Sequence, residues 1–127
     1  MAITHQVNMG FVRGNDAPLN ASLTTTDSTE QNADVALTTS ETGHLCAFVF
    51  TRANLKSLFL LADHAVNVRR NASNGAIDIA LQAGVPYIWM YASGLTIPFG
   101  ADITALYLDN TYAGATNVNI RMLLHEA

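Results

Sequence analysis

The stretch HAVNVRRNASNGAIDIALQ, residues 64–82, decides the fold class, because its apolar residues recur at every second position. This period indicates half-buried antiparallel strands rather than a helix. Between the two apolar runs lies NASNG, and its Asn74-Gly75 pair is a strong signal for a tight hairpin turn. The residues predicted to face inward are Val66, Val68, Ile77, Ile79 and Leu81.

The same reasoning extends to both sides of this hairpin. ADITALYLD (101–109) and TNVNIRMLL (116–124) are predicted to form a final pair of strands, linked by NTYAGA. HLCAFVF (44–50) and LKSLFLLAD (55–63) are apolar at successive positions, which is typical of strands buried on both faces. The TRAN segment between them is long enough for a hairpin loop.

The first 43 residues have a more polar character. THQVNMGFV (4–12) and LNASLTT (19–25) have the composition of strands. TTTDSTEQNAD (24–34) and TTSETG (38–43) are rich in Thr, Ser, Asn and Asp, and are predicted to be surface loops. An alternative is that residues 1–18 form an arm that leaves the body and orders against a partner.

The chain is therefore predicted to be a single all-β domain covering residues 1–127. Eight or nine short strands, with turn signals about every 8 to 12 residues, indicate an antiparallel β-sandwich of the jelly-roll kind. A small closed barrel is the alternative architecture. At 127 residues the chain is long enough to bury a core without a disulfide or a structural metal.

The charge balance limits the classes of partner. Apolar residues make up 50% of the chain and charged residues 13%, with a single lysine, so part of the surface is expected to contact protein rather than water. A net charge of −4 argues against sequence-independent nucleic-acid binding. The uncharged run 79–101 is interrupted by Gly and Pro, so no membrane span is expected. The N-terminus has no secretory signal pattern, which predicts synthesis and retention in the cytoplasm unless a particle carries the chain out.

No catalytic or metal-binding motif is apparent in the sequence. His44 and Cys46 share one face of a strand, but the other half of a metal site is missing. Asp63 and His64 are adjacent, and on a strand they would point to opposite faces, so the carboxylate would not easily orient the imidazole as a general base; a solvated turn is predicted instead. The carboxylates are scattered singly, and the chain has neither a phosphate-binding Gly loop nor a nucleophile-elbow motif. The chain is predicted not to be an enzyme and to use no cofactor.

The stretch AGVPYIWMYASG, residues 83–94, holds the single tryptophan and two of the four tyrosines. Its neighbouring side chains are aliphatic on both faces, whereas a ligand site needs placed hydrogen-bonding groups. Tyr87, Trp89 and Tyr91 are therefore predicted to pack in the core or at a subunit boundary, where aromatic residues are enriched. The alternative is an aromatic platform for carbohydrate.

The second half of the chain resembles a group of small virion proteins of tailed bacteriophages. The shared layout is an aliphatic strand ending in an acidic turn, a V-x-V strand, an I-x-I-x-L-x-A-G-x-P element, an aromatic strand, D-I-T-x-L-Y-L and an amide-rich turn into the last strand. These parts correspond here to Leu55–Asp63, Val66–Val68, Ile77–Pro86, Tyr87–Tyr91, Asp102–Leu108 and Val118–Leu124.

This resemblance implies a non-enzymatic β-sandwich on a phage particle, made in the bacterial cytoplasm and displayed on the capsid surface. It implies a head decoration or cement protein that binds the major capsid protein, is often a homotrimer, and grips the capsid with an N-terminal arm. The arm residues expected to contact the capsid are Ile3, Val7, Met9 and Phe11. A carbohydrate-binding or host-attachment module of a fibre or tail is the alternative.

Overall fold

The computed structural model describes residues 2–12, 14–15 and 17–125. Its architecture is an antiparallel all-β sandwich with a two-stranded hairpin attached at the N-terminal side. The ten strands in this part of the chain are β1 (Ile3–Phe11), β2 (Leu19–Asp27), β3 (Thr29–Leu37), β4 (His44–Cys46), β5 (Leu55–Ala62), β6 (Val66–Arg70), β7 (Ile77–Leu81), β8 (Tyr87–Met90), β9 (Leu106–Asn110) and β10 (Thr116–Leu124).

The sandwich has the connectivity of a jelly roll. One four-stranded sheet has the order β3-β10-β5-β8, and the other has the order β4-β9-β6-β7. The first strand of the sandwich pairs with the last, the second with the second-last, and so on inward to the β6–β7 hairpin. This nested pairing is a long hairpin rolled onto itself, the double-sheet arrangement of jelly-roll folds. The predicted fold class is confirmed.

Side chains from the facing surfaces of both sheets form one core. Because alternate residues of a strand point to opposite faces, every second residue of β10 enters the core, as in Val118, Ile120 and Met122. Leu58 and Leu60 lie beside them on the neighbouring strand β5 and point into the same core. Loop residues Phe50 and Phe99 meet edge to face at one end, with ring centroids 5.8 Å apart.

Consecutive strands often lie in different sheets, which corrects several predicted pairings. The predicted final pair is wrong, because β9 lies between β4 and β6 whereas β10 lies between β3 and β5. The strand in 101–109 starts at Leu106, after a segment that makes a single bridge between Ile103 and Phe50. TRAN is likewise no hairpin loop: it contains a 3-10 turn and joins strands of opposite sheets.

Local burial also differs from the sequence pattern in three places. The strand predicted over 44–50 is three residues long, and beyond it Val49 is exposed while Phe48 is buried. Ile77 is exposed rather than inward, because the pairing shifts between Val68/Arg69 and leaves Asp78 as an extra residue in β7, which disturbs the alternation at the start of that strand. The polar segment 24–34 is not a loop, since it forms the end of β2 and the first half of β3. Small polar side chains alternate there on strands with one solvated face.

Candidate protein-binding surface

The hairpin β1–β2, here called the arm, crosses the outer face of the β3-β10-β5-β8 sheet. β2 leads into β3 across Ser28 and contacts β10, β5 and the 3-10 turn Tyr91–Ser93 that follows β8. It therefore runs from one edge of this sheet to the other. The alternative of an arm over 1–18 that leaves the body differs from this hairpin, which spans Ile3–Asp27 and lies on the body along its inner half. Three of the predicted arm residues, Met1, Arg13 and Asp16, lie outside the described part of the chain.

The arm is longer than the sheet is wide. Three spacings of about 4.8 Å give a four-stranded sheet a width of roughly 14 Å, whereas strands of nine residues extend roughly 30 Å. A hairpin of this length that crosses the sheet and contacts the turn after β8 is expected to continue past the β8 edge. Its exposure follows this division: alternate residues from Ile3 to Val7 are half-buried, and residues 8–12 and 19–22 are exposed.

His5 fixes the inner half of the arm to the sheet. Its Nδ1 lies 2.7 Å from the Ser57 hydroxyl, and its Nε2 lies 2.7 Å from the Glu30 carboxylate. A carboxylate can only accept, so Nε2–H donates to Glu30, and in the neutral ring Nδ1 accepts the Ser57 hydroxyl proton. The hydrogen bond from His5 lowers the pKa of the Glu30 carboxyl below its usual value, followed by that from Asn32. We call His5, Ser57 and Glu30 the tether.

In the tether, His5 links a serine hydroxyl to a carboxylate in the same sequence of contacts as a Ser-His-acid triad. Ser57 is 3% exposed beneath the arm, and it lines a cavity together with His5 and Arg121. β5 is also paired on both sides, which commits its backbone N–H groups to the sheet rather than to an oxyanion. Leu123 and Met90 lie directly opposite Ser57 on the adjacent strands and are buried on the same face. The tether therefore holds the arm over an apolar sheet face.

A second contact anchors the base of the arm. The Asp27 carboxylate lies 3.0 Å from His125 Nδ1 and accepts the backbone N–H of Ser28, at the junction between β2 and β3. Thr25 lies directly opposite His5 in the hairpin, and its hydroxyl is buried with no hydrogen-bond partner among the described residues. The inner half of the arm is therefore held by polar contacts at two positions. Beside the first of these, the Thr25 hydroxyl is left without a hydrogen bond in the described part of the chain.

The projecting half of the arm, here called the tip, carries an exposed apolar face. Phe11 and Leu19 are directly paired across the hairpin and are 64% and 72% exposed. Met9 pairs with Ala21 two positions further in, on the same face. Of the predicted capsid-contact residues, Ile3 and Val7 are half-buried against the body, and Met9 and Phe11 lie on the tip. One face of the hairpin therefore has two surroundings. In the inner half it covers the sheet, and in the tip it is exposed to solvent.

The three aromatic residues predicted to pack in the core or at a subunit boundary occupy different surroundings. Trp89 is 4% exposed in the core, and its Nε1–H donates to the Leu95 carbonyl oxygen at 3.1 Å. Tyr87 packs against the core from the same face, and burial raises the pKa of its phenol. Tyr91 is not on that strand face: it begins a 3-10 turn, is 60% exposed and lies under the Lys56 ammonium. The indole is therefore closed to a sugar ring, whereas the Tyr91 ring is accessible.

Cys46, His44 and His64, the other residues with a possible chemical role, contact neighbouring side chains or lie in the core. Cys46 is buried, and desolvation raises the pKa of its thiol to about 11. His44 lies 2.6 Å from Glu41 rather than sharing a ligand with Cys46. His64 stacks on the Tyr112 ring at 3.6 Å between centroids. Across the described residues, no group of three His, Cys, Asp or Glu side chains is placed to hold a metal ion.

Sequence reasoning missed the tether, although a signal for it exists. His5 interrupts the apolar alternation of β1, and Ser57 interrupts the apolar run of β5. A polar residue at an inward position requires a partner. The separation of 52 residues between them leaves the pairing undetermined until the sandwich closes.

Comparison with models of known protein families, with curated proteins and with solved structures gave no match. None of the helices in the described ranges is long and apolar enough to cross a membrane.

Proposed function

We propose that this chain is a non-enzymatic structural protein of a bacteriophage particle: a capsid decoration or cement protein that binds the major capsid protein lattice through its arm. The observation that carries this proposal is the tip, a paired hairpin that projects past the sheet edge with Phe11 and Leu19 exposed on one face. An exposed apolar face of this kind marks a site of contact with another protein.

The fold and the composition support the same class of function. Double-sheet jelly rolls are used by viral capsid proteins and also by lectins, so the fold alone leaves both open. The burial of Trp89 favours the first over the second, since a lectin site needs accessible rings and placed polar groups. The viral setting itself rests on the sequence resemblance of the segment 55–124.

The mechanism we propose is clamping of neighbouring capsid subunits. The body sits on the outside of the particle, and the tip inserts its apolar face into a groove between capsid proteins. Each contact is small, because the tip exposes few side chains. Many copies on one lattice act together, however, and the particle gains stability from the sum. A homotrimer would place three tips on one capsomer and increase this effect.

Binding to particles tests the proposal directly. The probe is the capsid of the encoding phage, assembled without this chain, mixed with the purified full-length protein and sedimented. We expect the wild type to co-sediment and a Phe11→Ser/Leu19→Ser double variant to lose at least about tenfold in affinity. Both side chains are exposed, so the double variant keeps its fold.

The matched control is a Leu45→Ser/Val49→Ser double variant. These residues are also apolar and exposed, at 55% and 64%, but lie on or after β4, in the other sheet. The control is expected to bind capsids like the wild type. Failure of the wild type to bind, or equal binding by the tip variant, would refute the proposed function.

A further inference from the structure

We propose that Ser57 is a covalent acylation site: with His5 as the base, its hydroxyl accepts a short aliphatic acyl group from an activated ester. Ser57 lies on β5 beneath the arm, and its hydroxyl is 2.7 Å from His5 Nδ1. The other ring nitrogen of His5 lies 2.7 Å from the Glu30 carboxylate. A nucleophile, a base within hydrogen-bond reach and a third group that orients the base are the arrangement that activates a serine hydroxyl.

The hydrogen bonds of the tether give His5 the protonation pattern that this chemistry needs. Because Nε2–H donates to Glu30, Nδ1 carries the lone pair that faces the Ser57 hydroxyl. Both ring nitrogens of imidazole are basic, so a proton taken up at Nδ1 gives an imidazolium. The His5 hydrogen bond lowers the pKa of the Glu30 carboxyl, which favours its ionised form. The ionised carboxylate in turn stabilises the imidazolium.

A recess beside the tether gives an ester access to Ser57. Its volume is about 300 Å³, and four consecutive residues of β1, 4–7, form one wall. Among the described residues none from β2 lines it, so the recess lies at the free edge of the hairpin. Phe59 and Ile88 line it with apolar surface, and Ile88 is 40% exposed, so the recess opens to solvent. Such a lining suits a short aliphatic acyl chain.

Arg121 is the donor available to the charge that develops on the ester oxygen. It lines the same recess, and its Nη1 bonds Asp34 at 2.9 Å, whereas its Nε and Nη2 make no hydrogen bond to any described residue. Efficient acyl transfer uses several preorganised N–H donors. The backbone N–H groups of β5 do not serve here, because β5 is paired on both sides. One guanidinium is a weaker arrangement, so acylation is slow and stops at the Ser57 ester.

The reaction is a single acyl transfer. Ser57 Oγ forms a bond to the carbonyl carbon while its proton passes to His5 Nδ1. The bond to the leaving group then breaks, the C=O bond re-forms, and the proton passes from Nδ1 to the departing oxygen, which returns the ring to its neutral state. The chain is therefore modified once and does not turn over.

Reaction of the full chain with p-nitrophenyl butyrate near neutral pH tests this inference. We expect release of one equivalent of nitrophenol and a mass gain of one butyryl group, which peptide fragmentation places on Ser57 rather than on the adjacent Lys56. His5→Ala is expected to slow the labelling at least about a hundredfold, and Ser57→Ala to abolish it. The matched control is Ser73→Ala, in the exposed turn after β6, which is expected to be labelled like the wild type.

A second variant, Glu30→Gln, leaves the serine and the imidazole in place and removes the charge that stabilises the imidazolium. It is expected to slow the labelling at least about tenfold. Trp89 emission reports that each variant is folded, because Trp89 lies in the core.

Absence of label, butyryl groups on Lys56 alone, or equal labelling of Ser57 in folded His5→Ala would overturn the inference. Continued release of nitrophenol beyond one equivalent would overturn the single transfer. None of these results bears on capsid binding, because the tip lies outside the recess.

Discussion

At the scale of single residues, polar side chains beneath the arm decide how firmly it lies on the body. His5 satisfies both ring nitrogens, one with Ser57 and one with Glu30. The Thr25 hydroxyl is buried nearby without a partner among the described residues. Burial of a polar group is stabilising only when its hydrogen bonds are made, so these neighbouring residues have opposite effects on the docked arm.

We predict that Thr25→Val stabilises the protein by about 1 kcal/mol, because valine has the same shape and no hydroxyl to desolvate. The free energy of unfolding in urea measures the gain. Thr26→Val is the matched control: the Thr26 hydroxyl is exposed and bonds Thr4 Oγ1 at 2.8 Å, so no gain is expected there. A loss of stability in Thr25→Val would show that its hydroxyl has a partner after all.

At the scale of elements, the arm contacts the outer face of the sheet but is not hydrogen-bonded to it as a further strand. The core cluster contains no residue of β1 or β2 among its described members. The tether joins β1 to β3 and β5, and Asp27 joins the end of β2 to His125. Since these polar contacts act together with the apolar side chains beneath the arm, part of its attachment depends on their protonation.

Glu30 gives the attachment a defined pH dependence. The pKa of Glu30 is lowered below its usual value of 4.5, so its ionised form is favoured in the folded state. Its contribution to stability is therefore complete well above that usual value and is lost as the pH falls through the lowered pKa. We predict that wild type exceeds Glu30→Gln in unfolding free energy near neutral pH, and that the difference shrinks towards zero in acid.

Urea unfolding at a series of pH values measures this difference, with His5→Ala as the reference background. In that background the Glu30→Gln substitution is expected to change the unfolding free energy little at any pH, because the hydrogen bond that contributes most to the lowered pKa is absent. A difference between wild type and Glu30→Gln that persists unchanged into strongly acid solution would contradict the assignment.

At the scale of the whole molecule, eight strands make the jelly roll and two make the arm. The nested pairs from β3–β10 inward to β6–β7 close both sheets without help from β1 or β2. What the arm adds is cover for Met90 and Leu123 on the outer sheet face, and a projecting tip. This division separates the sandwich, which contains the core, from the arm, which we propose binds capsids.

We predict that a chain lacking residues 1–27 folds cooperatively. It should lose about 3 kcal/mol of stability, because partial exposure of the apolar side chains beneath the arm costs roughly this much. Thermal unfolding followed by Trp89 emission measures both properties, since Trp89 lies in the core on the opposite face of β8 from the arm. A broad transition without cooperativity would show that the arm belongs to the folding unit.

The sequence by itself determined that the chain is all-β, where most strands lie, and which side chains of β6 and β10 enter the core. Alternation with period two is a local property, so it survives whatever the strands pair with. Local patterning did not reveal that residues 24–34 form strands, because the Thr-rich strands β2 and β3 have solvated faces and resemble loops in composition.

Only the tertiary structure decided which strands are neighbours and which exposed residues share a surface. The jelly roll sends β9 and β10 to opposite sheets, and brings His5 to Ser57 across 52 residues. It also divides one aromatic stretch, placing Trp89 in the core and Tyr91 in solvent. Such pairings depend on the closure of the whole sandwich, in which each strand's partner is set by the free energy of burying both sheets together rather than by its own sequence.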